Sequence, residues 1–161
     1  MRKPPSPGRI RLAVCGVLLL LYSAVVLTIT MWPSQPDQSF AAAVDRLLGF
    51  LHRNGVPTWF DITRLEFTAN VAMFVPLGLL LALTLPQRAV WLTALLVPAF
   101  SGSIEWIQGQ YLPQRFGTVT DIIANTIGGY LGVILAIGLR ALVHKRDKLV
   151  AARLLAGQPW P

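Results

Sequence analysis

Six polar side chains stand in stretches that are otherwise hydrocarbon: Asn70 in TANVAMFVPLG, Ser101, Glu105 and Gln108 in SGSIEWIQ, and Asp121 and Asn125 in DIIANTIGG. An ionisable group on a membrane helix costs roughly 2.5 to 3.5 kcal/mol at the centre and less toward the ends, so each asks for a partner or a task. Glu105 and Asp121 are a carboxyl pair of the kind that acid–base chemistry uses, and Arg115 in the loop QYLPQRFGTVTD is a counter-charge for either of them. The amides and the hydroxyl are hydrogen-bonding groups suited to a polar head. No nucleophile elbow, phosphate loop or metal-ligand set accompanies them. Cys15 is the single cysteine and lies in an apolar run, while His52 and His144 are far apart and flank no other ligand type. No metal and no cofactor are implied.

These residues share helix faces if their segments are helical, because positions three, four and seven apart fall on one side. Ser101, Glu105 and Gln108 then make one stripe, and Asp121, Asn125, Gly128 and Gly132 another. Gly128 and Gly132, with Ala136 beyond, form a small-xxx-small row that suits close helix packing better than ligand contact. Pro76 and Gly78 predict a local break or kink in their helix.

The elements that must position the polar residues are membrane helices. The 161 residues are 54% hydrophobic and 13% charged, too apolar for an ordinary soluble domain. Four segments approach the roughly 20 apolar residues that cross a bilayer: Leu12 to Met31, about Leu65 to Leu85, about Ala89 to Gln108, and about Asp121 to Val143. The first is too long for a signal-peptide core and no small-residue cleavage site follows it, so it is expected to remain as an anchor. The predicted fold is all-α: an integral membrane four-helix bundle over 12–143, preceded by a disordered basic N-terminus (1–11) and followed by a basic cytoplasmic tail (144–161). That tail reads either as a basic amphipathic helix on the membrane or as a solvated continuation of the last span.

Lys and Arg placement orients the chain. Ten of the fourteen basic residues flank the N-terminus, the turn at Arg88 or the C-terminus, which places both termini in the cytoplasm and the protein in the cell (plasma) membrane, multi-pass. The net charge of +7 then reflects a basic fringe facing anionic lipid and calls for no nucleic acid. Counting up from Arg88, Glu105 lies about 24 Å into a core roughly 30 Å thick, near the outer boundary. Asp121 opens the last span from that side, and Asn70, Ser101 and Asn125 each lie about a turn away from a carboxyl in the same shallow layer. In the outer loop, Phe40, Val44, Leu47, Leu48 and Leu51 recur at helical spacing before a stop at Asn54-Gly55, so a short amphipathic helix is expected there. Thr63 and Glu66 resemble a capping box that opens the second span.

The order NVAMFVPLG (70 to 78), SIEWIQ (103 to 108), Arg115 and DIIANTIGG (121 to 129) resembles the VanZ-like membrane protein family over about residues 65 to 135. The resemblance carries the family's recurrent pattern onto Asn70, Phe74, Pro76, Gly78, Glu105, Gln108, Arg115, Asp121, Asn125 and Gly128. It implies a link to low-level resistance to the glycopeptide teicoplanin, without supplying a molecular activity. Three functions compete. The leading one is a non-enzymatic protein whose polar outer-leaflet pocket binds an amphiphile: a membrane lipid, a lipid-linked cell-envelope precursor or a lipoglycopeptide. The second is an intramembrane hydrolase or transferase using Glu105 and Asp121 with Arg115. The third is a purely structural polar network in a membrane scaffold or subunit, and the glycine row also permits a homo-oligomer.

Overall fold

The computed structural model describes residues 7–32, 38–111 and 118–155, and among these the regular elements are all helical. They are α1 (Pro7–Thr30), α2 (Gln38–Arg53), α3 (Ile62–Thr84), a 3-10 segment (Gln87–Leu92) leading into α4 (Thr93–Tyr111), and α5 (Val119–Leu155). Four stretches are long and apolar enough to cross a membrane: Gly8–Thr30, Ile62–Thr84, Gln87–Tyr111 and Val119–Val150. All four predicted spans are therefore helices, and the chain is an all-α membrane protein.

The seam between α3 and α5 holds the fold together, and it is the most extensive helix–helix contact. Glycine makes it possible. A Cβ on Gly78 would meet the backbone of Gly129, one on Gly128 the carbonyl of Val71, and one on Gly132 the backbone of Val75 and Leu79. Lipid tails are as apolar as leucine, so helices in a membrane associate through such close backbone approach rather than through hydrophobic expulsion from water. Around this seam, α1 packs on α3 and α4 on α5. Phe74, Leu77, Val97, Ile104 and Val26 form the buried apolar cluster.

Several boundaries differ from the sequence expectation. Helix α1 starts at Pro7, so residues 7–11 are helical rather than disordered; proline's fixed φ and missing N–H suit a first helical position. Residues 1–6 lie outside the described residues. Helix α5 runs unbroken for 37 residues into the basic stretch, so the tail as far as Leu155 continues the last span. Helix α3 opens two residues before the expected capping box. Asp61 is its N-cap, accepting from the Arg64 N–H at 3.1 Å, while Glu66 sits exposed within the helix. The amphipathic α2 ends at Asn54 and Gly55, the latter at φ +96, a left-handed turn that glycine adopts without strain.

Of the expected break or kink at Pro76, the break does not occur. Pro76 lies inside a continuous α3, and Pro98 inside a continuous α4. Each removes a backbone donor, and neighbouring helices supply hydroxyls to the disturbed turns. Tyr130 Oη on α5 donates at 2.8 Å to the carbonyl of Ala94, the group that Pro98 leaves without its helical donor. Tyr22 Oη on α1 donates at 2.9 Å to the Met73 carbonyl in the turn before Pro76. Gly78 serves close approach to α5.

Candidate functional site

The polar residues gather where α1 and α4 end and α3 and α5 begin. Helix periodicity aims them inward. On α4 the buried positions are Thr93, Val97, Ser101, Ile104 and Gln108, a line with steps of three and four. On α5 the buried line is Ala124, Asn125, Gly128, Gly129, Gly132 and Ala136, small residues apart from the one amide. Asn70 is half-buried on the first half of α3.

Three cross-helix bonds result, each joining a different pair of helices. Asn70 Nδ2 donates to Asp121 Oδ1 at 2.7 Å, linking α3 to α5. Asn125 Nδ2 donates to Ser101 Oγ at 2.9 Å in a fully buried contact between α5 and α4. Gln108 Nε2 donates to the Thr30 carbonyl at 2.8 Å, so α4 supplies a donor to the last turn of α1. Gln108 is thereby turned toward α1 and away from the carboxyls.

The two carboxyls are held differently. Asp121 accepts on both oxygens, from Asn70 on Oδ1 and from the Thr118 hydroxyl on Oδ2 at 2.8 Å. Thr118 Oγ1 in turn accepts the Asp121 N–H at 3.2 Å, a reciprocal cap at the start of α5, where the helix dipole also favours a negative charge. Glu105 is half-buried, within electrostatic reach of Asp121 and of the Thr118 backbone N–H. Its Oε2 is buried and has no hydrogen-bond partner among the described residues. The same holds for Oδ1 of Asn125, a residue only 2% exposed. The site therefore presents two buried acceptors, one a carboxylate oxygen and one an amide oxygen. A ligand meeting them must bring donors.

Sequence reasoning named Asn70, Ser101, Glu105, Gln108, Asp121 and Asn125, and the structure brings all but Gln108 into two adjoining pairs plus Glu105. Arg115, the expected counter-charge, lies outside the described residues. Gly78, Gly128 and Gly132 belong to helix packing below the polar layer, and Pro76 lies within α3. Thr118 and Thr30 were missed. Thr118 was readable, since T-x-x-D before an apolar run is a capping signature; Thr30 contributes only a backbone carbonyl, which sequence does not distinguish. Among the described residues no three His, Cys, Asp or Glu side chains group as metal ligands.

An all-helical membrane protein, with a glycine seam below a layer of paired amides and carboxyls, is the class that this fold and site define. The model of the VanZ/LLP1 family matches residues 17–142, most of the chain and all four spans in part or whole. The chain belongs to the VanZ/LLP1 family. No curated protein and no solved structure matches it.

Proposed function

We propose that this protein binds the polar head of an amphiphile in the layer formed by Asn70, Ser101, Glu105, Asp121 and Asn125, with the tail lying along the apolar helix surfaces. One observation carries the reading: among the described residues, Glu105 Oε2 and Asn125 Oδ1 are buried acceptors without donors, next to groups that are otherwise paired. An unmet acceptor away from water costs roughly 1 to 3 kcal/mol, and a head group rich in N–H or O–H donors removes that cost. Sugar hydroxyls and ammonium groups qualify. Lipid-linked cell-envelope precursors and lipoglycopeptides such as teicoplanin are the corresponding ligand classes, and a part in glycopeptide resistance follows from binding either. Catalysis by the Glu105 and Asp121 pair is less well supported, because both Asp121 oxygens already accept bonds that fix α5. The charge distribution supports termini in the cytoplasm of a plasma-membrane protein, so that the layer faces the outer leaflet; reporter fusions at each terminus test this.

A second reading has its own observation. Three bonds tie three different helix pairs, as a purely structural network would. Thermal melting in detergent separates the two. For binding, wild type gains several degrees with a lipid-linked precursor or teicoplanin, and Glu105→Gln melts like unliganded wild type but loses that gain. For the network alone, neither ligand shifts the wild type. Chemical alteration of the purified precursor would instead favour the enzyme.

A further inference from the structure

At the opposite end of the bundle, α1 and α5 do not form a packed interface, and the space between them is a cavity of about 1270 Å³. Its walls are the first turns of α1, including Arg11, Leu12 and Cys15, and the stretch of α5 that carries Arg140 and His144; its floor is the end of α3 and the turn that follows. The lining is mostly apolar, and its charged groups gather at the mouth. Only its Cys15 and Ile137 end reaches into the hydrocarbon; the rest lies at head-group depth.

The mouth carries two arginines and His144 against a single carboxylate, Asp147. Arg140 uses one nitrogen, Nη2, to donate to the carbonyls of Ala82, Leu83 and Leu85 at 2.7, 3.0 and 2.6 Å. These fix the guanidinium at the end of α3 and leave Nη1 and Nε without a hydrogen-bond partner among the described residues. Arg11 faces it from α1, held only by a loose, exposed pair with Asp147 at 3.6 Å, the kind that yields readily to a stronger anion. His144, exposed, completes the rim, and Arg9 and Lys148 flank it in sequence on the same helices. Depth agrees: Arg140 lies nineteen residues beyond Asp121, about 29 Å along the helix, where a core of roughly 30 Å ends and phosphates begin.

We infer that this groove holds the head group of one anionic phospholipid, its phosphate against Arg140 and Arg11 and its acyl chains leaving past Cys15 and Ile137 into the hydrocarbon. The site is separate from the polar layer at the other end, and its occupancy does not depend on the proposal for that layer. A guanidinium fork matches phosphate geometry, and cationic side chains near a membrane surface each favour anionic lipid.

Native mass spectrometry of the full chain in neutral detergent, offered phosphatidylglycerol and phosphatidylcholine of identical chains, tests this directly. Wild type is expected to retain one phosphatidylglycerol about five- to tenfold in preference to phosphatidylcholine. Ala141→Trp, at an exposed lining position, fills the groove and should abolish that preference while leaving the lipid-free melting temperature unchanged. Leu12→Trp on the opposite wall serves the same purpose should Ala141→Trp fail to fold. Equal retention of the two lipids by wild type overturns the inference, as does undiminished phosphatidylglycerol preference in a folded groove-filling variant.

Discussion

The two ends of this bundle solve the same problem, polar groups beside hydrocarbon, in opposite ways. At the end where α5 begins, side chains answer side chains: Asn70 with Asp121, Asn125 with Ser101, and a threonine cap on the helix. At the end where α3 stops, one arginine answers backbone, its Nη2 meeting three carbonyls of a finishing helix. The first arrangement draws three helices together and, among the described residues, leaves two buried acceptors unmet. The second serves the carbonyls at the end of α3, beside a groove between α1 and α5. Between them runs the glycine seam, which belongs to neither end and fixes the spacing of both.

Breaking the seam should have the largest effect. Gly132→Leu drives a side chain into the backbone of Val75 and Leu79, which cannot rotate away, so a loss of about 3 kcal/mol or more is expected, read as collapse of the monodisperse peak in size-exclusion chromatography. A normally eluting variant would mean that the two ends are spaced by something other than α3 against α5. Arg140→Leu comes next. It strips a donor from the end of α3 and should lower stability by about 1 to 3 kcal/mol in a thermal melt, with Arg140→Lys recovering part of the loss. An unchanged melt would show that the carbonyls find water instead.

The smallest effect is the most informative about the polar end. A double-mutant cycle of Asn70→Leu with Asp121→Ala should report a coupling of about 0.6 kcal/mol, the mean found for hydrogen bonds between membrane helices, and at most about 1.7 kcal/mol. Zero coupling would leave the polar layer with no structural role at this pair, and would sharpen the contrast in favour of ligand binding.

The spans, the amphipathic helix between the first two and the nearness of Glu105 to Asp121 were legible because each depends on one-dimensional quantities. Apolar run length against bilayer thickness gives the spans, and 1.5 Å per residue brings Glu105 and Asp121 to one depth. The errors were local and share one cause. Thr63 and Glu66 fit a capping pattern as well as Asp61 fits an N-cap, and sequence offers two starts where the chain takes one. Pro76 reads as a break because the rule concerns an isolated helix, whereas Tyr22 and Tyr130 serve the proline turns from other helices.

The sequence by itself determined that this chain crosses a membrane four times, and that its polar residues collect in one layer, because hydrocarbon thickness and helix rise leave few alternatives. Only the tertiary structure decided which polar group meets which. Gln108 turns to the end of α1 rather than to Glu105, Arg140 serves α3 rather than a flank of its own helix, and Glu105 keeps a buried oxygen unmet. Those choices depend on helix rotation and approach, which the glycine contacts between distant segments set and which no spacing along one helix encodes.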